Sequence, residues 1–246
     1  TNYALQPMPR QDFIDLVTAG QPAAPNYFLH DAITNRREHA TFDENRQLPA
    51  LTKAGADARI AAGAALVDTR SPEEFAAGHL AGSVNVGLDG RFAETCGMVV
   101  SAETPIIVTG ASNTGQEAMI RLARIGFDNV VGYLGDLEGV MANHPDQVTS
   151  TPRLDPTAVT AEGVQLVDVR NPGETELGIV PGATVIPLAQ LPGRLDELDK
   201  SQPVVAYCAG GWRSMVAASY LASQGFTDVA DVVGVYGEIS KNLTLA

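Results

Sequence analysis

The sequence predicts an α/β protein made of two copies of one domain, each a parallel β-sheet with helices on both faces. Four sequence blocks recur about one hundred residues apart in the same order. Within each copy, short apolar runs rich in β-branched residues alternate with helical patterns, as is typical of a parallel sheet covered by helices. The 246 residues are enough for two domains that each bury a core.

The repeat is defined by four pairs of matching blocks. The pairs are Leu66–Pro72 with Leu166–Pro172, Ala81–Val86 with Pro181–Ile186, Pro105–Val108 with Pro203–Ala206, and Leu122–Val130 with Leu221–Val229. The period is too long for a solenoid, so the repeat indicates a duplicated domain. We predict a first copy at residues 49–146 and a second copy at residues 157–246. A linker rich in Thr, Ser and Pro is predicted between them, at residues 147–156.

Strands and helices follow from the local patterns. Short apolar runs predict buried strands at Ala65–Asp68, Ile106–Thr109, Leu166–Val169 and Val204–Tyr207. Helices are predicted at Glu117–Ile125 and Met215–Ser223, and each is followed by a glycine, which commonly ends a helix. Ligands of such sheets bind where strands end and helices begin, so the turns after Thr109 and Tyr207 are the expected sites.

The composition excludes several classes of function. The formal net charge of -13 argues against nucleic acid or an anionic membrane surface as a partner, and no apolar run is long enough to span a membrane. Cys96 and Cys208 are too few for a disulfide scaffold and favour a reducing, cytoplasmic location. The four histidines have no metal-ligand spacing, so we expect neither a metal nor a cofactor.

The second copy carries a nucleophile at its expected site. Cys208 directly follows the strand that ends at Tyr207, and a glycine-rich loop leads from it into a predicted helix. Glycines let main-chain N–H groups turn inward, and a helix start adds unpaired N–H groups. Arg213 adds a fixed positive charge. This setting favours a persulfide anion on Cys208, and the residues expected to bind substrate around it are Ala209, Gly210, Gly211, Trp212 and Ser214.

These motifs resemble the rhodanese family, in which a catalytic cysteine heads a six-residue loop. Cys208–Arg213 matches that loop as C-x-x-G-x-R, and Asp68–Arg70 and Asp168–Arg170 match the D-x-R motif near the first strand. The resemblance covers residues 49–246 and implies a sulfurtransferase with Cys208 and Arg213 as catalytic residues. Sulfane sulfur would pass from thiosulfate or a low-molecular-weight persulfide to Cys208, and then to a thiophilic acceptor.

The first copy keeps the frame of the repeat and lacks the nucleophile. Gly110 stands opposite Cys208, and the segment from Gly110 to Gln116 contains neither Cys nor Arg. Cys96 lies outside any comparable loop. We therefore predict that the first copy is catalytically inactive.

Residues 1–48 lie outside the repeat and are predicted to form an N-terminal arm, with extended chain at Ala23–Phe28 and Asn35–Glu44. Asn2–Met8, Ala24–Phe28 and Asn35–Arg37 resemble the junction after the metallo-β-lactamase domain in fusions with two rhodanese domains, which are similar to persulfide dioxygenases. The H-x-H-x-D-H metal motif of that domain is absent from this sequence. The resemblance implies a parent protein whose metallo-β-lactamase domain lies upstream and is a partner of this chain.

Two other functions fit parts of the sequence. An accessory module that receives or delivers persulfide for a separate oxygenase would explain the inactive first copy. A cysteine-dependent phosphatase or arsenate reductase would use the same frame, but those relatives have a loop one residue longer than Cys208–Arg213. Because the loop has one Arg and no Lys, we expect low-molecular-weight persulfides to be better donors than thiosulfate.

Overall fold

The structure, a computed structural model, describes residues 6–19, 24–25, 27–34, 36, 42–43, 45–159, 161–234 and 236–244. Ahead of the repeat it contains helices α1 (Arg10–Thr18) and α2 (Tyr27–Thr34). The prediction of extended chain is therefore wrong at Tyr27 and Phe28, whereas Ala23, Asn26 and most of residues 35–44 lie outside the described residues. Tyr27 is buried and packs edge-on against Phe127 of the first copy, which fixes α2 to that copy.

The first copy forms a parallel sheet, as predicted. Its elements are α3 (Lys53–Ala61), β1 (Ala65–Asp68), α4 (Pro72–Ala77), β2 (His79–Leu80), β3 (Val84–Asn85), α5 (Phe92–Val99), β4 (Ile106–Thr109), α6 (Thr114–Ala123), β5 (Val130–Leu134) and α7 (Leu137–Asn143). The sheet has the order β3-β1-β4-β5, with parallel pairing throughout. The predicted strands at β1 and β4 are confirmed to the residue.

Residues 147–156, predicted as a linker, contribute a strand to each copy. A 3-10 turn (Pro145–Gln147) leads into β6 (Val148–Thr149), which pairs antiparallel with β2. The following strand, β7 (Arg153–Leu154), joins the sheet of the second copy at its edge. The segment therefore connects the copies through backbone hydrogen bonds on both sides.

The second copy repeats the arrangement of the first. Its elements are β8 (Gln165–Asp168), α8 (Pro172–Thr175), β9 (Thr184–Val185), β10 (Val204–Tyr207), α9 (Trp212–Ser223), β11 (Val229–Val232) and α10 (Tyr236–Thr244), with 3-10 turns at Pro156–Ala158, Leu188–Gly193 and Leu195–Glu197. The sheet order is β7-β11-β10-β8-β9, again with parallel pairing. The strand predicted at Leu166–Val169 lies one residue earlier, and the one at β10 is confirmed.

Glycines end both predicted helices. Gly126 and Gly225 have φ values of 73° and 89°, in the left-handed region that favours glycine. The residue after each glycine donates its main-chain N–H to a carbonyl in the last turn of the helix. Phe127 donates to the Leu122 carbonyl of α6, and Phe226 donates to the Leu221 carbonyl of α9. Both helices begin three residues before their predicted starts, because the sequence pattern marks only the buried turns.

The two sheets share one hydrophobic core. Alternate residues of a strand point to opposite faces, so Val67 of β1 and Val167 of β8 both reach a central cluster formed with α5, α6 and α9. The opposite faces have separate clusters, one around Leu66 with α3 and α7, the other around Leu166 with α10. Each sheet is therefore covered by helices on both faces, as predicted.

The two copies also meet at buried contacts outside the central cluster. The main-chain N–H of Asn85, in β3, donates to Ser219 Oγ of α9 at 2.9 Å. Phe75 and Ala76 of α4 pack against Met215 of α9 in a small cluster of their own. The helix after the Cys208 loop is thus fixed by the first copy as well as the second.

Candidate active site

Cys208 lies at the carboxyl end of β10, where every residue of the strand is buried. The loop from Cys208 to Gly211 turns the chain into α9, and Gly211 adopts a left-handed φ of 80°. Cys208 itself is 2% exposed. The nucleophile expected from the sequence therefore lies between a strand end and a helix start.

The Cys208 sulfur is contacted from its own loop and from α9, and the Arg213 side chain also interacts with it. The N–H of Gly211 donates to Cys208 Sγ at 3.2 Å, and Sγ lies 3.6 Å from Ser214 Oγ. Gly211 and Ser214 are both buried. The loop therefore turns one main-chain donor toward the sulfur, a setting suited to an anionic sulfur species, and places the Ser214 hydroxyl oxygen beside it.

A cavity of about 560 Å³ opens over the sulfur between the two copies. The second copy lines it with Asn171, Glu174, Leu188, Cys208, Gly210, Trp212 and Arg213. The first copy supplies the facing wall, which consists of Asp89, Gly90, Arg91, Thr95 and Met98. The copy without a nucleophile thus forms about half of the site around the nucleophile of the other.

Arg213 is held by an ion pair. Its two terminal nitrogens donate to the two carboxylate oxygens of Glu174 at 2.6 and 2.7 Å, a bidentate geometry. Hydrogen bonding to Arg213 holds the pKa of Glu174 below its ordinary value. Glu174 also accepts from the main-chain N–H of Asn171 in the capping box that begins α8. The positive charge of Arg213 is therefore balanced at the cavity.

Trp212 packs against the first copy. A Cβ atom at Gly87 would lie 2.6 Å from the Trp212 ring, so glycine is needed for this close approach. Trp212 is half-buried and lines the cavity. The ring therefore forms part of the cavity wall and part of the contact between the copies.

The residues expected from the sequence divide into two groups. Cys208, Gly210, Trp212 and Arg213 line the cavity, whereas Gly211 and Ser214 touch the sulfur from the buried side. Ala209 is half-buried and is not among the lining residues of this described loop.

Sequence reasoning missed the other residues of the site: Glu174, Arg153, Asp231 and the wall of the first copy. For Glu174 a signal exists, since Asn171-Pro172-Gly173-Glu174 has the spacing of a capping box, which places the carboxylate at a helix start.

A known protein family matches most of the chain. The family model described as "Rhodanese-like domain" matches residues 52–143 and 157–242, most of the chain. The chain belongs to the rhodanese-like domain family. Each of the two matches contains one copy of the repeat, so the first rhodanese copy is a family member despite its missing cysteine.

Curated relatives cover one rhodanese copy at a time. A protein named "Sulfurtransferase" from Allochromatium vinosum is 38% identical over 94 residues, which are 38% of this chain and 84% of the relative. The "Thiosulfate sulfurtransferase GlpE" of Pseudoalteromonas translucida is 36% identical over 73 residues, 30% of this chain and 70% of that protein. A sulfurtransferase-type function is therefore supported for the rhodanese domains.

A solved structure titled as a metallo-β-lactamase, from Staphylococcus aureus, is also similar. It is 25% identical, with a TM-score of 0.47, and the match covers 55% of this chain and 38% of that one.

Each rhodanese copy contains an ion pair at its D-x-R motif, which is partly buried in the first copy and buried in the second. Arg170 donates to both oxygens of Asp168 at 2.6 to 3.0 Å and to the Gly178 carbonyl at 2.8 Å. Arg70 makes the same contacts with Asp68 and Gly78 in the first copy. These pairs tie the loop after the first strand of each copy to the turn beyond the next helix.

In the first rhodanese copy, the loop after β4 reaches its helix through a similar turn, but Gly110 stands at the position of Cys208 and has φ of 148°. Asn113 takes the left-handed conformation of Gly211, with φ of 67°. A Cβ atom at Gly110 would lie 2.2 Å from Thr69 Oγ1, so a cysteine there would displace Thr69. The packing of this copy is thus adapted to glycine at that position.

In the described part of the chain, no group of three or more His, Cys, Asp and Glu residues is arranged to hold a metal ion. No helix in that part is both long and apolar enough to cross a membrane.

Proposed function

We propose that this rhodanese pair is a sulfurtransferase that carries sulfane sulfur as a persulfide on Cys208. The observation that carries the proposal is the contact of the Gly211 N–H with Cys208 Sγ at the base of a cavity. A strand end, an inward-turned amide and a helix start together stabilise negative charge on sulfur.

The reaction has two half-reactions. The Cys208 thiolate attacks the outer sulfur of a donor persulfide, the donor S–S bond breaks, and the donor thiolate leaves with the electron pair. An acceptor nucleophile then attacks the outer sulfur of the Cys208 persulfide, and Cys208 leaves as the thiolate. The Gly211 N–H stabilises Cys208 Sγ in the second step, where that atom gains negative charge.

Charge balance in the cavity favours low-molecular-weight persulfides over thiosulfate as donors. Arg213 is paired with Glu174, and the wall of the first copy adds one acid and one base, Asp89 and Arg91. These four charges cancel, so a dianion gains little attraction on entering. A persulfide with an organic group can also contact Trp212 and Leu188.

The proposal is tested by intact-protein mass spectrometry after incubation with glutathione persulfide. We expect the chain to gain the mass of one sulfur atom, and Cys208→Ser to gain none. The matched control is Cys96→Ser, because Cys96 is fully buried in the first copy and burial raises the pKa of its thiol to about 12. Cys96→Ser should load normally. No gain in the parent chain, or an equal gain in Cys208→Ser, would contradict the proposal.

The alternatives rank below sulfur transfer. A phosphatase or arsenate reductase needs a wider anion loop and a free arginine, whereas Arg213 is engaged by Glu174. Cys208-dependent hydrolysis of an aryl phosphate would reverse this ranking. The upstream metallo-β-lactamase domain, and the accessory role that goes with it, stay predictions, and the reading frame upstream of Thr1 would test them.

A further inference from the structure

Polar contacts lead from the Cys208 sulfur into the protein interior. Cys208 Sγ lies 3.6 Å from Ser214 Oγ, and the Ser214 hydroxyl is 3.4 Å from Asp231 Oδ2 and 3.5 Å from the Val232 carbonyl. Ser214 and Asp231 are fully buried. The hydroxyl has a single hydrogen, so the carboxylate, the carbonyl and the sulfur compete for it.

Arg153, from β7, holds the Asp231 carboxylate. Its guanidinium donates to the two Asp231 oxygens at 3.1 to 3.3 Å and to the Gly211 carbonyl at 3.1 Å. Burial raises the pKa of Asp231, although the hydrogen bonds and charge of Arg153 act against that rise. Arg153 also donates to Glu73 of the first copy at 2.5 Å. Arg153 therefore links Glu73 of the first copy to Gly211 and, through Asp231, to Ser214.

We propose that Asp231 is a positioning residue: it holds the hydroxyl hydrogen of Ser214 away from Cys208 and so favours the sulfur-loaded state over the free thiolate. This inference rests on the proposed function. The ionised carboxylate is the strongest of the three acceptors while Sγ is neutral, as it is in the thiol and in the inner atom of a persulfide. Only the free thiolate would gain from a hydroxyl donor. Withholding that donor makes sulfur uptake, which consumes the thiolate, more favourable.

Other charged groups surround Cys208, and their charges do not depend on Asp231. They are Arg213 with Glu174, Asp168 with Arg170, Arg91 with Glu94, and Asp89. A change confined to Asp231 leaves all of them in place. Arg153, which also pairs with Glu73, loses the charge of its partner Asp231, so the effect of charge has to be separated from that of the Ser214 hydroxyl.

The test is the pH dependence of Cys208 alkylation by iodoacetamide, without any sulfur donor and in a Cys96→Ser background. In Asp231→Asn the amide oxygen stays toward Arg153 and is a weaker acceptor for the Ser214 hydroxyl than the carboxylate, which frees the hydroxyl hydrogen for the sulfur, and one negative charge is lost. We expect the midpoint of the rate profile to fall by about one pH unit, the effect of one hydrogen bond to a charged group. Asp68→Asn, the loss of a buried acid in the first copy, is the matched control and should leave the midpoint unchanged.

The double variant Asp231→Asn/Ser214→Ala separates the hydroxyl from the charge. We expect less than half of the shift to remain, whereas an equal shift would overturn the proposal because Asp231 would then act by charge alone. If Asp231→Asn does not fold, the alkylation midpoint of the single variant Ser214→Ala tests the proposal instead. The proposal expects a change of less than about 0.3 pH units, and a rise of about one unit would mean that Ser214 already donates to the sulfur.

Sulfur loading is measured separately on the same variants. At a fixed ratio of glutathione persulfide to glutathione, Asp231→Asn should show a loaded fraction of Cys208 lower than the parent. Normal loading without an alkylation shift would overturn only the role of Asp231. Absence of loading in the parent would contradict the proposed function instead, so the two failures are distinguishable.

Discussion

At the scale of single residues, the neighbours of a side chain decide what its charge can do. Arg213 has the position of an anion-binding cation, but Glu174 takes both of its terminal nitrogens. Arg213 lowers the pKa of Glu174 below its ordinary value of 4.5, so this carboxylate is ionised at neutral pH. The pair therefore neutralises the cavity throughout the neutral range.

Glu174→Gln should change the preference for donors. The variant leaves the Arg213 charge uncompensated, while glutamine still fits the capping box of α8. We expect kcat/KM for thiosulfate to rise about fivefold relative to glutathione persulfide, the value of a partly exposed ion pair. Steady-state kinetics with both donors measure this ratio.

The matched control for that variant is Glu197→Gln. Glu197 pairs with Arg194 in the same copy and does not line the cavity. The donor ratio should not change there. A fall in the ratio for Glu174→Gln, or an equal rise in the control, would contradict the charge argument.

At the scale of elements, a strand, a loop and a helix are built twice. Gly211 and Asn113 share a left-handed conformation before α9 and α6, and a glycine follows both helices. The two loops differ where the cysteine stands, since Gly110 has φ of 148° and Cys208 does not have a positive φ. The helix start is therefore common to both copies, whereas the backbone at the strand end differs with the residue there.

Gly225→Ala should lower the stability of the protein, although Gly225 does not line the cavity at Cys208. The residue has φ of 89°, and the atom nearest to an added Cβ would be Lys200 Nζ at 3.8 Å, so conformational strain is the sole penalty. We expect the free energy of unfolding to fall by about 1 kcal/mol, measured by urea titration. Gly237→Ala, at an ordinary φ in α10 with open space around it, is the control and should be neutral or stabilising. Equal losses in both variants would argue against the left-handed cap.

At the scale of the whole molecule, the two rhodanese copies form one folding unit. The central cluster contains residues of both sheets together with α5, α6 and α9. The buried hydrogen bond from Asn85 to Ser219 and the exposed ion pair of Arg153 with Glu73 both cross between the copies. The first copy thus supplies core, cavity wall and polar support to the second.

We therefore expect the copies to unfold together. Leu122 is fully buried in the first copy, and Leu122→Ala should cost about 3 kcal/mol. Trp212 is the one tryptophan of the sequence and lies in α9 of the second copy against Gly87 of the first, so its fluorescence reports on the second copy at its contact with the first. In Leu122→Ala, the melting temperature measured by Trp212 fluorescence should fall relative to the parent chain. The melting temperature measured by circular dichroism should fall by the same amount. A fluorescence transition that keeps its original temperature would contradict a shared core.

Much of the fold could be predicted from the sequence because its signals are local. The repeat, the strands at β1, β4 and β10, and the glycine helix ends all lie within short windows. The N-terminal arm was predicted less well. Tyr27 begins a helix because packing against Phe127 outweighs the Pro-rich pattern before it.

Sequence alone determined the family, the position of the cysteine and the loss of the nucleophile in the first copy, since these depend on residue identity at a strand end. Tertiary structure alone decided the cavity wall, the partner of Arg213 and the support behind the sulfur. Glu174 is 39 positions from Arg213, and Arg153 is 78 from Asp231. The pairing of residues at such separations leaves no period or motif in the chain, because it exists only when the strands and helices of the second copy have assembled.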